Sequence, residues 1–270
     1  MRKLLVPNPT QEQVVEAFVN GYLPPGQTLK ILKELDSYDD KNYMVQISDG
    51  THYLAKICNG VESHDFIENG TDSSIYFQTA MMEHLNHHDI PTSAPVPSKT
   101  GRPSIVASLP VVSVQHSPRN LVVRLLSWVP GRTMSSLPFL PIESLLDAGR
   151  FLGKLDEKLD LMDPQPFKAC KRYHAWDGKN TLDLRNYTHC IDDERRRGMV
   201  ESVLDAFQHD IIESNVEFRT GLLHSDFNDA NILVDKDMKV SGVIDFGDSV
   251  YRYVLRETKT VLLVKLEYSC

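Results

Sequence analysis

From Leu29 onward the chain reads as strand. Lys30-Ile31-Leu32-Lys33-Glu34-Leu35 leads into the polar loop Asp36 to Asn42, and Tyr43-Met44-Val45-Gln46-Ile47 follows. Asp49-Gly50 is the strongest short hairpin signal in the sequence, and His52 to Ile57 is its return strand. Ahead of these strands, Thr10 and Gln13 form a capping box for a helix carrying Val14, Val15, Phe18 and Val19, which stops at Gly21. A helical stretch covers Ser74 to Leu85, and proline-rich punctuation runs from Pro91 to Pro103. Two apolar runs, 104–114 and 121–129, complete a five-stranded sheet, and Pro130-Gly131 breaks the chain.

Beyond that break the periodicity changes. Leu145, Leu146, Phe151, Leu152, Leu155 and Leu159 form a helical stripe across 142–159, and Val200, Val203, Leu204, Phe207 and Ile211 form another. After Gly221 come short apolar runs at Leu222-Leu223, Ile232 to Val234 and Val240 to Ile244, separated by turn residues. The expectation is an α+β fold. An antiparallel sheet lobe (1–127) joins through a short hinge (128–131) to a mostly helical lobe (132–270).

Composition narrows the partners. Of 270 residues, 41% are hydrophobic and 24% charged, with a formal net charge of −8, which is ordinary for a globular chain. The densest basic run, Arg195-Arg196-Arg197, directly follows Asp192, Asp193 and Glu194, so it reads as a solvated helix face and nucleic acid is not expected as a partner. Cys58, Cys170, Cys190 and Cys270 lie too far apart for a zinc or redox motif. The apolar stretch after Met1-Arg2-Lys3 is too short for a secretory signal, and no segment reaches membrane-spanning length. A cytoplasmic setting and no membrane partner are expected.

The candidate chemistry lies near the end of the chain. His224-Ser225-Asp226 is followed by Asn231, five residues after the Asp, and Asp245-Phe246-Gly247-Asp248 begins fourteen residues after that Asn. Phosphoryl transfer needs residues of these types. A carboxylate orients the acceptor hydroxyl and takes its proton, while an amide oxygen and a second carboxylate coordinate magnesium on the phosphates. Asp226, Asn231 and Asp245 suit those roles, provided a tight hairpin brings the two loops together. Taken alone, His, Asp and Asn here could be turn residues closing hairpins. Order, spacing and apolar flanks together favour the catalytic reading. Lys56, between apolar neighbours on a strand, is either a snorkelling edge lysine or a phosphate ligand, and the downstream motif favours the ligand.

These segments resemble the aminoglycoside phosphotransferase group of protein-kinase-like enzymes and, within it, the hydroxylysine kinases. The likeness is carried by Leu35 to Asp40, Leu54 to Ile57, Val123 to Leu126 with Pro130-Gly131-Arg132, Gly153 to Asp156, His224 to Asp229 and Gly242 to Asp248. The resemblance implies a bilobal kinase-like fold with Asp226 as base and Asn231 and Asp245 as magnesium ligands. It also implies that Lys56 holds the phosphates and that Ser127, Trp128 and Val129 meet the nucleotide base. It further implies GTP (or ATP) as phosphoryl donor, 5-hydroxy-L-lysine or a similar amino alcohol as acceptor, and a place in lysine breakdown.

Two departures from the group's pattern stand out. The group pairs its lysine with a glutamate on the following helix, but counting back from Leu85 lands on Tyr76. Glu68, displaced by a short insertion, is the expected partner, and Glu83 is the alternative. The group also continues for roughly a hundred residues past its D-F-G-D, about the scale of a domain, whereas this sequence stops at Cys270. That stop suggests a truncated form that leaves an apolar patch uncovered, with a catalytically impaired nucleotide-binding or regulatory protein as the alternative to an active kinase. Of the weaker signals, the cluster His84, His87 and His88 reads as a helix C-terminal turn. Trp176-Asp177 reads either as near the acceptor site or as a core anchor. Asp229 reads either as a contact for a substrate ammonium or as a turn residue.

Overall fold

The computed structural model describes residues 5–112, 118–169, 178–214 and 219–253. The basic N-terminal start, Trp176-Asp177 and the segment after Tyr253 lie outside the described residues. The first helix, α1 (Gln11–Tyr22), starts at the expected capping box: the Gln13 N–H donates to Thr10 Oγ1, and the Thr10 N–H donates to Gln13 Oε1.

Strands β1 (Leu29–Leu35), β2 (Lys41–Ile47), β3 (His52–Ile57), β4 (Ile105–Leu109) and β5 (Arg119–Ser127) form one five-stranded sheet. Its order is β1-β2-β3-β5-β4, and every pairing is antiparallel. The Asp49-Gly50 turn is tight because Gly50 takes φ 90°, a conformation glycine adopts without steric cost. Period-two alternation then divides the two faces. Ala55, Ile57, Leu121, Val123 and Leu125 point to a core completed by Val14, Phe18 and Tyr22 of α1. Tyr22 fixes that helix by donating its hydroxyl hydrogen to the Val123 carbonyl at 2.8 Å. The intervening positions, Leu54, Lys56, Val122, Arg124 and Leu126, therefore face the opposite side, where α2 (Gly60–Asn69) and α3 (Ser74–His87) lie. The sequence pattern had suggested α3 but not α2. That helix exists because Asn59 accepts from the N–H groups of Val61 and Glu62, satisfying two donors at its start.

After β5 the chain runs through Trp128 to Gly131 into β6 (Arg132–Thr133). This strand pairs with β8 (Ile232–Val234), which pairs in turn with β9 (Val240–Val243). Helix α4 (Ile142–Leu159) buries Ala148, Leu152, Leu155 and Leu159. Phe77, Met81, Met82 and Leu85 of α3 belong to this same second core, together with Phe227 and Phe246. Beyond α4 come the short α5 (Gln165–Ala169), α6 (Glu194–Phe207), and β7 (Thr220–Leu223), which pairs with β10 (Val250–Tyr253). Helix α6 buries only Leu204 among the described residues, and Val203 of the expected stripe is exposed. No helix among the described residues is long and apolar enough to cross a membrane.

Candidate active site

The β8–β9 hairpin juxtaposes the two motif-bearing loops. Asn231 ends the first loop and Ile244 begins the second, and the Ile244 N–H donates to the Asn231 carbonyl at 3.0 Å. His224 fastens them again. Its Nε2–H donates to the Ile244 carbonyl (3.0 Å), and its Nδ1 accepts from the Asp226 N–H (3.3 Å). These partners fix a neutral imidazole with the proton on Nε2. Burial depresses its pKa to about 4, against the opposing pull of the Ile244 hydrogen bond and the charges of Asp245 and Asp248. The ring also packs edge-on against Phe246, with centroids 4.7 Å apart. His224 is thus a brace between loops, not a proton carrier.

Asp226 accepts hydrogen bonds from two amides: Asn228 Nδ2 reaches Oδ1 at 2.8 Å, and Asn231 Nδ2 reaches Oδ2 at 2.7 Å. Asn231 Nδ2 also donates to the Asp226 carbonyl (2.9 Å), so both of its hydrogens are used. The atom Asn231 has left to offer a cation is Oδ1. Burial pushes the Asp226 carboxyl up to about 6; the nearby charges of Asp248 and Asp245 add to this, and the two amide bonds partly offset it. Ser225 and Asp245 both hold left-handed backbone, φ 69° and 63°. That conformation costs a non-glycine residue about 1 kcal/mol, and such strain concentrates where side chains must be aimed.

Lys56, Asn231 and Asp245 line one cleft of about 420 Å³ between the sheet and the second core. Lys56 is 8% exposed as a residue, and its ammonium lies 2.6 Å from Asp40 Oδ2 and 3.9 Å from Asp245 Oδ1. Burial alone would lower its pKa, but the charges of Asp40 and Asp245 outweigh that and hold it well above the usual lysine value. Trp128 and Val129 also line the cleft. Ser127 does not: its N–H donates to the Ala94 carbonyl and its Oγ accepts from the Ala94 N–H, both at 2.8 Å, so it ties the end of β5 to the segment ahead of β4.

The ion-pair expectation needs correction. Glu68 sits exposed on α2, Glu83 sits exposed on α3, and neither lines the cleft. Between Glu68 and α3 lie the last residue of α2 and a single turn at Gly70–Asp72. Helix α3 presents Gln78 and Met82 to the cleft, and Gln78 accepts from the guanidinium of Arg124 (Nη1 to Oε1, 2.9 Å). Arg124 is 1% exposed, and its Nη2 donates to Thr79 Oγ1 at 2.9 Å. Sequence reasoning quoted Asp40 and Arg124 as part of motifs without assigning either a role. Strand register, which only the structure supplies, brings them to the site: Asn42 faces Lys56, and Lys56 faces Arg124, across neighbouring strands.

Among the described residues, no group of three or more His, Cys, Asp or Glu side chains could hold a metal by itself. One carboxylate and one amide oxygen fit magnesium, which keeps water and phosphate in its remaining positions. The donor set and the freed Asn231 Oδ1 therefore suit that ion.

Known proteins resemble the chain in sequence and in fold. The chain is 28% identical to hydroxylysine kinase of Danio rerio over 267 residues, covering 97% of this chain and 72% of that protein. The corresponding Xenopus laevis protein is 27% identical over 275 residues, covering 96% and 70%. Among solved structures, a microcompartment-associated aminopropanol kinase superposes with TM-score 0.68 at 17% identity, over 93% of this chain and 73% of that one. An amicoumacin kinase bound to AMP-PNP and calcium gives TM-score 0.67 at 17% identity, over 96% and 70%. At those identities the likeness establishes the fold, a bilobal kinase-like α+β architecture. The sequence pattern described as the phosphotransferase enzyme family matches residues 31–258, and the chain belongs to that family.

Proposed function

We propose that this phosphotransferase moves the γ-phosphoryl group of a nucleoside triphosphate onto the hydroxyl of a small amino alcohol. GTP is the proposed donor and 5-hydroxy-L-lysine the proposed acceptor. The observation that carries the proposal is the convergence on one cleft: Lys56 and Asp245 line it with Asn231, whose amide is hydrogen-bonded to Asp226.

The acceptor oxygen forms a bond to the γ-phosphorus, the bond from that phosphorus to the β–γ bridging oxygen breaks, and the hydroxyl proton passes to Asp226. With a pKa of about 6, Asp226 is ionised at neutral pH yet basic enough to accept a proton as it leaves. Asn228 and Asn231 hold its two oxygens in place, so the carboxylate does not reorient during transfer. Lys56 contributes a fixed positive charge toward the phosphates. Magnesium, held by Asn231 Oδ1 and Asp245, would neutralise charge on the phosphate oxygens. Trp128 and Val129 provide apolar surface for the base, on a segment (128–131) that serves as hinge between the lobes.

The acceptor's cationic character is supported by the acidic surroundings. Asp226, Asp245 and Asp248 lie close enough to raise the pKa of one of their number, and Asp229 follows on the same loop. A negative field of this kind favours a substrate bearing ammonium groups. The relatives named hydroxylysine kinase support hydroxylysine in particular, and with it a role in lysine breakdown in the cytoplasm. The test is a phosphoryl-transfer screen of amino acids and amino alcohols with GTP and ATP at fixed magnesium. Hydroxylysine turnover with GTP, lowered at least about 100-fold in Asp226→Asn with nucleotide binding retained, is the expected result. Nucleotide binding without transfer to any acceptor would refute it.

A further inference from the structure

We propose that Asp40, at the end of the β1–β2 loop, is the residue that positions Lys56 for the nucleotide phosphates, a role in which a helix acid was expected. The inference rests on the proposed kinase function and deepens it. The two candidate helix acids are exposed and do not line the cleft, and Gln78 of α3 is engaged by Arg124. Asp40 is buried, and each of its carboxylate oxygens has a separate task. Oδ1 accepts from Asn59 twice, from the backbone N–H at 2.8 Å and from Nδ2 at 3.0 Å, while Oδ2 receives the Lys56 ammonium at 2.6 Å.

Asn59 is fixed in its own right. Its Oδ1 accepts from the Val61 and Glu62 N–H groups at 3.0 Å each, tying it to the start of α2. The strands set the register, since Lys41 pairs with Ile57 and Asn42 with Lys56. Asp40 therefore falls beside the end of β3, where Asn59 follows two residues after Ile57. The chain α2–Asn59–Asp40–Lys56 leaves the ammonium little freedom and aims its remaining hydrogens along the direction of Asp245. A buried carboxylate held by three donors is a preorganised support, and it stays in place when an anion binds on the far side of the lysine.

Asp40→Asn keeps the size of the side chain and an acceptor for Asn59 but removes the charge facing Lys56. The experiment measures KM and Kd for magnesium–GTP and magnesium–ATP, KM for 5-hydroxy-L-lysine, and melting temperature. It compares wild type, Asp40→Asn, Lys56→Met, the double variant and Glu68→Gln. The expected result for Asp40→Asn is nucleotide KM and Kd raised about tenfold or more, with acceptor KM within about twofold. That effect should vanish in the Lys56→Met background, as required of a residue acting through another, and Glu68→Gln should match wild type. Asn59→Ser keeps a capping hydroxyl while removing one donor to Asp40. It should raise nucleotide KM by about threefold and serves as the probe if Asp40→Asn does not fold. An unchanged nucleotide KM in the folded Asp40→Asn or Asn59→Ser protein overturns the proposal, as does an Asp40→Asn effect of equal size without Lys56. A wild-type chain that binds neither nucleotide overturns the kinase reading itself, a result distinguishable from either of these.

Discussion

Lowering the pH should selectively remove the stability that depends on the neutral His224 brace, and the size of the loss follows from the site geometry. The ordinary imidazole value is 6.5, and burial holds the folded His224 at about 4. Below 6.5 the unfolded chain takes up a proton that the folded chain refuses. This contribution to stability is therefore complete above pH 6.5 and is lost as pH falls toward 4. Linkage gives a loss of about 2 kcal/mol at pH 5 and about 3 kcal/mol at pH 4 relative to pH 7.5. His224→Leu supplies the control. It leaves the Ile244 carbonyl and the Asp226 N–H without their partners, at about 1–3 kcal/mol for each buried group, but it has no imidazole to titrate. Urea unfolding followed by tryptophan fluorescence, with midpoint and slope fitted at each pH from 7.5 to 4.5, measures both proteins. The wild-type advantage should be about 3 kcal/mol at pH 7.5 and shrink by about 2 kcal/mol at pH 5. An advantage that stays constant across that range would refute the reasoning, because His224 would then be either charged or solvated in the folded state.

Other consequences can be checked by simpler measurements. The rise of kcat/KM with pH should have its acid limb near pH 6, because Asp226 must lose its proton to act as base. Asp248→Asn removes a negative neighbour and should move that limb to lower pH at constant magnesium. Asp245→Asn should raise the magnesium concentration giving half-maximal rate by about tenfold or more, read from a metal titration at saturating nucleotide. Gly131 has φ 144°, and a Cβ there would meet Ser241 Oγ at 2.6 Å and the Val234 carbonyl at 3.0 Å. Gly131→Ala should therefore cost about 2 kcal/mol and lower Tm by about 5 °C in calorimetry.

The parts of the fold legible in sequence were those governed by local chemistry. The Thr10–Gln13 box, the Asp49-Gly50 turn and the alternation through β1 to β3 each involve residues close together in the chain, so their pattern survives without tertiary information. Helix α2 was not legible because its start and stop signals, Asn59 and Gly70, bracket a stretch with few apolar residues, of which Val61 and Ile67 remain exposed. The stripe on α6 gave the helix but not its environment, because periodicity reports which residues share a face and not what that face meets. At the site, the spacing of Asp226, Asn231 and Asp245 was readable since one hairpin joins them. The Asp40 contact was not, because it depends on the register of β2 against β3. An acid one residue ahead of β2 becomes a neighbour of Lys56 only once Asn42 is known to face it.

That same contact bears on how such an enzyme can be controlled. In protein kinases the lysine's partner is carried on a mobile helix, and displacing the helix separates the two and silences the enzyme. Here both members of the pair, and the asparagine that steadies them, belong to the sheet lobe's strands and the turn leading into α2. Outward travel of α3 would break the Arg124 contacts and leave Lys56 still paired. In an enzyme wired in this way, displacing that helix would not by itself part the lysine from its acid.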